Sequence, residues 1–410
     1  MQNNSTNLNS GLNSGKALRS IVIGSALLAA TTNVGPGFCT QTSLFSYQYL
    51  GGMLLAIILS AIFDSVMQTT TYRMCCFAGK EAQGIADDLK KGLGAFLSCI
   101  VIFGLCCFQL GNVGGIALGL RTLLNIQNTS VSVLLGGVCA IAVFAFKKFN
   151  NIIDMISKLL AVVMIVSIAI VAVMAKPSVS KIFETMGEVK KISLLYPVMT
   201  MVGAVSGGYA SLIGPHRLLG RGIKGKEHWK TYRATLAGHL GTVYLIRVLF
   251  FLACFGVVAH GMQIDTSDPA RSIFQTGAGM FGYYLMGVVL FAAGVTTVIG
   301  AAVTLVSMIR NYFPKVAEKE RETCIVFIAI ATILMAVIGQ PAAMLVAASS
   351  INGMVLPVLM VIMLIASRSK RVMGAEYHHP IVLTVIGVIM AVMFGYSAVT
   401  NFSQVVSLFR

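Results

Sequence analysis

The stretch Asn33-Val34-Gly35-Pro36-Gly37-Phe38 lies inside an apolar run over about 18–48 that otherwise predicts one membrane span. Proline removes a backbone donor and clashes with the preceding turn, and glycine has no Cβ to support a helix. The run therefore predicts a helix that breaks within the membrane. Because lipid cannot hydrogen-bond to the freed backbone groups, such a break is tolerated where it faces protein or lines a cavity. Two interpretations stay open at this point: a kinked span without a ligand, and a substrate site near the membrane midplane.

Composition identifies the chain as a polytopic membrane protein. Of its 410 residues, 57% are hydrophobic and 11% are charged, and its mean hydropathy is +0.85. Soluble domains average about 25% charged residues. The net charge of +16 comes from basic residues between the apolar runs, which indicates loops at a membrane and argues against a nucleic-acid partner. The nine cysteines lie mostly inside apolar runs without a CxxC pairing, which predicts buried thiols and neither a metal site nor disulfides. We expect no cofactor.

Apolar runs predict an all-α chain with eleven transmembrane helices. Their limits are 18–48, 51–76, 93–120, 131–146, 152–175, 194–219, 234–258, 272–307, 324–338, 342–366 and 380–399. With the amino terminus inside, most Lys and Arg residues fall in cytoplasmic segments, as the positive-inside rule requires. This orientation leaves the carboxyl terminus outside and predicts a multi-pass protein of the prokaryotic cytoplasmic membrane. An Asn- and Ser-rich segment over 1–17 predicts a disordered cytoplasmic tail.

A second interruption occurs in the sixth span, at Gly203-Ala204-Val205-Ser206-Gly207-Gly208-Tyr209. Two glycines in a span are compatible with mere close packing of helices. Here, however, the first span of each five-span block is interrupted. Matched interruptions in corresponding halves indicate an inverted-repeat transporter with its site between the two breaks. We therefore predict a first repeat over 18–176, a second over 194–367, and an eleventh helix with the carboxyl terminus over 380–410.

Several short runs resemble the Nramp family of divalent-metal transporters. Gln68-Thr69 with Arg73 and Gly79-Lys80 is similar to the end of that family's second helix, and Ile116-Ala117-Leu118 resembles its third. Ala292-Ala293-Gly294 followed by Thr296-Thr297 resembles its eighth. The resemblance implies a LeuT-type fold of two inverted five-helix repeats with helices 1 and 6 broken. It also implies secondary transport.

The chain departs from this family at the metal site. The family's DPGN falls on Gly35-Pro36-Gly37-Phe38, and its sixth-helix A-x-x-M-P-H falls on 204–209. The break survives, but the aspartate, asparagine, methionine and histidine are replaced by Gly35, Phe38, Gly207 and Tyr209. A manganese or iron ion needs carboxylate, amide or soft sulfur ligands. We therefore expect no metal ligands in these two helices.

The remaining site is suited to a small organic carboxylate. A glycine-rich break leaves the amides of Gly37, Phe38 and Cys39 open at the start of a helix, where carboxylates bind. The break resembles the first-helix loop of amino-acid transporters, and its GPGF-x-TQT pattern is similar to proteins whose genes accompany 5-oxoproline catabolism. The predicted substrate-binding residues are Asn33, Gly35, Pro36, Gly37, Phe38, Thr40, Gln41, Asn112, Ala204, Gly207, Gly208, Tyr209, Ser349 and Asn352.

Four further residues are candidates for the coupling ion. Asp64 and Arg247 lie deep in the second and seventh spans, where an isolated charge costs about 3 kcal/mol or more. A structural ion pair or gate, a proton relay and a substrate contact all stay open for them. Thr296 and Thr297 retain the eighth-helix hydroxyls that bind Na⁺ in LeuT-type transporters. His239 could titrate, but a lone histidine is usually just hydrogen-bonded.

We therefore predict a secondary transporter that carries a small carboxylate such as 5-oxoproline, or an amino-acid-like molecule, with H⁺ or Na⁺. The first alternative is a divalent-cation transporter with an atypical site. The second alternative is a non-transporting membrane receptor. The sequence contains neither a nucleotide-binding GxxxxGK[ST] loop nor a nucleophile constellation, which argues against a pump or an enzyme. Expected partners are the substrate, its coupling ion and the lipid bilayer, with no obligate protein partner.

Overall fold

The computed structural model describes residues 15–144, 149–187, 194–310, 312–400 and 402. Most of the predicted tail over 1–17 and of the carboxyl-terminal segment after Thr400 lies outside this part. In the first half, the described residues form α1 (Gly15–Asn33), α2 (Pro36–Tyr49), α3 (Gly52–Ala78), α4 (Ala82–Leu89), α5 (Leu93–Leu124), α6 (Thr129–Val143), α7 (Phe149–Met174) and α8 (Val179–Met186). In the second half, they form α9 (Leu195–Ser206), α10 (Ala210–Gly220), α11 (Trp229–Val258), α12 (Pro269–Ile309), α13 (Pro314–Glu318), α14 (Glu320–Ile338), α15 (Pro341–Arg368), α16 (Lys370–Met373) and α17 (Ile381–Thr400).

Each predicted span coincides with a helix or a pair of helices. Seven helices among the described residues are long and apolar enough to cross a membrane: α3, α5, α11, α12, α14, α15 and α17. The pairs α1–α2, bent by 53°, and α7–α8, bent by 88°, raise this number to nine if each pair is one span. The short α6 and the two halves of the sixth span, α9 and α10, account for the other two predictions. The all-helical fold is confirmed, and the count of eleven is compatible with it.

Helix packing depends on small residues at the crossings. A Cβ on Gly119 of α5 would lie 2.5 Å from the backbone N of Phe291 on α12, and a Cβ on Gly294 of α12 would lie 2.8 Å from the backbone N of Ile116. Glycines let two helix backbones approach this closely. The helices α5 and α12 therefore form a tight central pair. On the outside of the bundle, α14 and α17 expose apolar side chains such as Val337 and Val399, which suits contact with lipid.

The short helix α8 is attached to the start of α3. The Gly51 amide donates to the Thr185 hydroxyl at 3.0 Å. The backbone of Ile182 occupies the space that a side chain at position 51 would need. Thr185 lies 134 residues after Gly51 in the sequence. The turn between α2 and α3 is thus held by a helix from a distant part of the chain.

Candidate functional site

The first break separates α1 from α2. Gly35 is extended, with φ −81° and ψ 177°, and Pro36 opens α2. The Cys39 amide donates to the Gly35 carbonyl at 3.3 Å, so the expectation that this amide is open is wrong. This is the first i→i−4 hydrogen bond of α2, and it is accepted by the N-cap residue Gly35. The Gly37 and Phe38 amides have no hydrogen-bond acceptor among the described residues.

The second break lies between α9 and α10, as predicted. Gly207 is extended, with ψ 120°, and Gly208 is left-handed, with φ +41°. A left-handed backbone is costly for most residues other than glycine. The Ala210 amide donates to the Gly207 carbonyl at 2.9 Å and starts α10. Both breaks are buried inside the bundle.

Several predicted site residues come together where these breaks meet α5, α12 and α15. A Cβ on Gly35 would lie 2.8 Å from Cγ2 of Thr297 and 3.4 Å from Oδ1 of Asn112. A Cβ on Gly37 would lie 3.2 Å from Oγ of Ser349. The break therefore contacts one predicted polar residue from each of three different helices. Pro36 packs on Gly115 of α5, in the same crevice.

Asn352 of α15 connects the second break to α5. Its amide nitrogen donates to the carbonyl of Gly104 at 2.9 Å and to that of Ala348 at 2.9 Å. A Cβ on Gly207 would lie 2.5 Å from the Cβ of Asn352, and a Cβ on Gly208 would lie 3.4 Å from its Oδ1. Asn352 is thus a helix-to-helix tie that also borders the second break.

Buried amide groups without partners lie near the two breaks. Among the described residues, neither polar atom of Gln41, neither polar atom of Asn112 and not Oδ1 of Asn352 has a hydrogen-bond partner. All three side chains are fully buried. Buried polar groups in proteins nearly always have a hydrogen-bond partner, because leaving one unpaired costs about 1–3 kcal/mol. This concentration of unpaired donors and acceptors is therefore suited to a polar ligand.

Tyr209 and Ala204 lie at the second break. The Tyr209 ring is buried and makes an edge-on contact with Phe108 of α5, with the ring centroids 5.6 Å apart. Its hydroxyl lies near the Asn112 amide. Ala204 is buried on α9, one turn before the break. Tyr209 of the second break is therefore next to Asn112, which also borders the first break.

Asn33 joins the two breaks directly. Its amide nitrogen donates to the carbonyl of Val205 on α9 at 2.6 Å and lies 2.9 Å from Nε2 of His239 on α11. Gln68 of α3 donates to the same Val205 carbonyl at 3.4 Å and to the Ser206 hydroxyl at 3.3 Å. Gln68 and His239 are absent from the predicted binding set. Gln68 belongs to one of the sequence runs that resemble the Nramp family, so the sequence could have identified it as a candidate site residue.

Asp64 and Arg247 are both fully buried, but no ion pair within 4.0 Å joins these two described residues. Asp64 accepts a short hydrogen bond from Tyr244 of α11. Arg247 donates to the Ser60 hydroxyl at 3.3 Å, and its guanidinium lies 4.4 Å from the centre of the Phe38 ring. Arg247 is therefore in direct contact with Phe38 of the first break.

The two threonines of α12 differ in their contacts. The Thr296 hydroxyl lies 3.3 Å from the Thr31 carbonyl in the last turn of α1 and 3.0 Å from the Ala292 carbonyl of its own helix. The Thr297 hydroxyl bonds to the Ala293 carbonyl at 2.8 Å, and its methyl group packs on Gly35. Thr296 thus places hydroxyl and carbonyl oxygens of two helices together just before the break.

Two cavities flank the breaks. The outer cavity, of about 570 Å³, reaches α2 at Thr40 and Leu44. We call it the outer cavity because the predicted orientation places it on the outer side of the membrane. Its charged lining residues are Arg121, Asp268 and Arg271.

The inner cavity, of about 400 Å³, reaches α1 at Leu28. Its charged lining residues are Arg217, Arg221, Arg310 and Glu320. Because Leu28 and Thr40 belong to the two halves of the broken span, the first break lies between the cavities.

Charges at the outer cavity are partly paired. Arg271 lies 3.1 Å from a carboxylate oxygen of Asp268 and 3.2 Å from one of Asp265. Burial raises the pKa of Asp268 to about 6, and the neighbouring Arg271 opposes this shift. Hydrogen bonds from Ser267 lower the pKa of the more exposed Asp265. The residues that line this cavity therefore include two arginines and one carboxylate, and Asp265 pairs with Arg271 from outside the lining.

The described residues contain no group of three or more His, Cys, Asp or Glu side chains that could hold a metal ion. A protein-family sequence model, described as natural resistance-associated macrophage protein-like (Nramp), matches residues 26–403. The chain belongs to the Nramp family. Nramp proteins are membrane transporters rather than enzymes. The helical fold, two broken spans and flanking cavities described above are those of a membrane transporter.

Relatives of this Nramp chain include two bacterial membrane proteins. YcsG of Bacillus subtilis (strain 168) is 37% identical over 390 residues, which cover 94% of this chain and 96% of YcsG. A membrane protein of Haemophilus influenzae is 33% identical over 390 residues, covering 94% of this chain and 98% of its own length. The similarity therefore extends over nearly the whole of each protein.

Solved structures show the same fold at lower identity. A manganese transporter of Eremococcus coleocola superposes with a TM-score of 0.76 at 15% identity, over 96% of this chain and 88% of its own. MhsT, solved in complex with L-phenylalanine, gives a TM-score of 0.59 at 15% identity, over 92% and 98% of the two chains. A Na⁺-coupled sialic acid symporter gives 0.54 at 13% identity, over 92% and 89%. The LeuT-type fold that the family resemblance implied is confirmed.

Proposed function

We propose that this Nramp protein is a secondary transporter of a small organic carboxylate, such as 5-oxoproline or an amino-acid-like molecule. The observation that carries the proposal is the charge of the two access routes. The outer cavity is lined by two arginines and one carboxylate, and the inner cavity by three arginines and one carboxylate. Clefts in which one sign of charge predominates concentrate ions of the opposite sign. Both routes therefore favour an anion over a divalent cation.

The first break offers the groups that a carboxylate requires. The open amides of Gly37 and Phe38 stand at the start of α2, where the helix dipole favours negative charge. Arg247 lies behind the Phe38 ring and adds positive charge without an ion-paired carboxylate within 4.0 Å among the described residues. The unpaired amide groups of Gln41 and Asn112 supply further donors and acceptors. Together these groups recognise an anion with additional polar atoms.

The position of the cavities favours transport over a receptor role. One cavity reaches each half of the broken span, and the buried break closes the way between them. Alternating access requires this arrangement, in which either side can open to a fixed central site. We infer the prokaryotic cytoplasmic membrane as its location, with the amino terminus inside, and no obligate protein partner.

The coupling ion is H⁺ or Na⁺. Thr296 and the Thr31 carbonyl supply oxygens of the kind that Na⁺ uses, at the junction of α12 and α1. A proton instead requires a titratable group coupled to the breaks.

A divalent cation is the second candidate substrate. The observation in its favour is the structural likeness to the manganese transporter of Eremococcus coleocola, at a TM-score of 0.76. The absence of a three-residue His, Cys, Asp or Glu cluster in the described part of the chain opposes it, because such an ion needs ligands that replace its hydration shell.

Calorimetry on the purified protein tests the proposal with three probes: 5-oxoproline, Mn²⁺ and Mg²⁺. Binding of 5-oxoproline, together with its uptake into proteoliposomes, is the expected result. A panel of amino acids and other small carboxylates follows if 5-oxoproline itself does not bind. Tight Mn²⁺ binding without binding of any organic anion would overturn the carboxylate and establish the second candidate.

A further inference from the structure

His239 of α11 occupies a position between the two breaks that the substrate site does not use. It is fully buried, and its Nε2 lies 2.9 Å from the amide nitrogen of Asn33, the last residue of α1. Its Nδ1 lies 3.4 Å from the hydroxyl of Tyr72 on α3. The imidazole therefore connects the first broken span to two helices of the surrounding bundle.

The hydrogen bonds of Asn33 fix the protonation state of His239 in this conformation. The Val205 carbonyl can only accept, so the Asn33 atom 2.6 Å from it must be the amide nitrogen. The same nitrogen faces Nε2 of His239 and can only donate to it. Nε2 must then be an unprotonated acceptor, and the ring proton lies on Nδ1, towards Tyr72. The observed contacts require a neutral His239.

A proton on Nε2 cannot coexist with these contacts. Two donors would face each other at 2.9 Å. The Asn33 amide could turn over and present Oδ1, which is buried and unpaired in the present arrangement. Turning over would bring that oxygen against the Val205 carbonyl, and two acceptors at such a distance repel. Protonation of His239 therefore breaks the hydrogen bond that ties the first break to α9.

We propose that His239 is the site at which this transporter binds its coupling proton. The inference rests on the proposed function and deepens it by naming the coupling ion. Proton binding loosens the Asn33–Val205 tie between the two repeats, and proton release restores it. The step is an acid–base one, in which a proton from water binds Nε2 and later returns to water. Alternating access is thus linked to the protonation of one imidazole.

In the cluster formed by His239, Asn33 and Tyr72, we assign the bound proton to His239. Asn33 on α1 and Tyr72 on α3 are its hydrogen-bond partners, and no carboxylate, Lys or Arg in the described part of the chain acts electrostatically on the imidazole. Tyr72 packs against Gly214 of α10, which follows the inner-cavity residue Ile213. The Tyr72 side of the cluster is therefore next to the water-accessible inner cavity, where protons can exchange.

The test is accumulation of a carboxylate, with 5-oxoproline as the first probe, in proteoliposomes with an imposed pH difference. With one proton per carboxylate, each pH unit should raise the accumulation ratio about tenfold. His239→Gln, whose amide oxygen can accept from Asn33 but cannot carry the proton, should remove this dependence while substrate still exchanges across the membrane. His260→Gln changes an exposed histidine just beyond the same helix and should keep the tenfold slope.

A second measurement needs no variant. Calorimetry of carboxylate binding to the wild-type protein, in buffers of different ionisation enthalpy, should reveal a proton linked to binding. A wild-type slope that persists in His239→Gln, or the absence of any linked proton, would overturn the inference and leave carboxylate transport intact. Accumulation that follows a Na⁺ gradient alone would also overturn it. If the wild-type protein neither binds nor moves any carboxylate, the proposed function fails and this inference fails with it.

Discussion

Gly37 brings α2 into close contact with α15, and this contact can be tested by adding a single methyl group. A Cβ at position 37 would lie 3.2 Å from the Ser349 hydroxyl and 3.4 Å from the Leu345 carbonyl, against 3.4–4 Å for ordinary contacts. Gly37→Ala therefore requires the two helices to separate by a few tenths of an ångström. Alanine also favours the helix over glycine by about 1 kcal/mol, which offsets much of the overpacking cost.

The expected result for Gly37→Ala is a folded protein with impaired transport. Because the offsetting terms nearly cancel, the melting temperature should change by no more than a few degrees. Uptake of 5-oxoproline, or of the carboxylate that the binding panel identifies, should fall about tenfold, in line with the steep cost of displacing site groups by less than 1 Å. Gly241→Ala is the matched control, because a Cβ there meets nothing within 4 Å. Wild-type uptake by Gly37→Ala, or an equal loss in the control, would refute the assignment of this contact to the site.

Three further outcomes follow from the same structure. Asn112→Leu replaces an unpaired buried amide by an apolar group, so thermal stability should hold or rise while carboxylate binding by calorimetry is lost. Arg121→Gln should raise the KM for carboxylate uptake about threefold at low ionic strength and less in high salt, whereas Arg121→Lys should not. Since burial raises the folded-state pKa of Asp268 from 3.8 to about 6, its contribution to stability is full below 3.8 and is lost as pH rises through 6. Asp268→Asn should remove this component, about 3 kcal/mol, from melting curves measured across that range; an unchanged pH profile would contradict the assignment.

Sequence patterns predicted the spans and both breaks because proline, glycine and long apolar runs act locally. Pro36 must interrupt a helix wherever that helix lies, and Gly208 adopts the left-handed backbone that few other residues tolerate. Asn112, Ser349 and Thr297 were predicted as pocket or coupling-ion residues from their polar groups in apolar spans, and all three lie next to the first break. The extents of the two repeats stay a prediction.

Side-chain partners across the bundle could not be predicted in the same way. Asp64 and Arg247 suggested an ion pair by their charges, but Tyr244 and Ser60 are their hydrogen-bond partners. His239 was noted as a residue that could titrate, but its contact with Asn33 could not be predicted, because the two residues are 206 positions apart in the chain. Gly37 and Gly207 look equivalent in sequence, yet a Cβ on Gly207 would press on the Gly203 carbonyl and on Asn352. Substitution at Gly207 therefore threatens the fold as well as transport.

The hydrogen bond from Asn33 to Val205 also bears on how the protein is made. Its two residues are 172 positions apart, so a ribosome adding about 5–20 residues per second needs roughly 10–35 s between them. During that interval the first broken helix is already synthesised, but the carbonyl that holds its end is not. Backbone left open in lipid is unfavourable, so the first half of the chain should stay with the insertion machinery until α9 emerges. A chain that terminates before α9 would present quality-control proteases with a break that nothing closes.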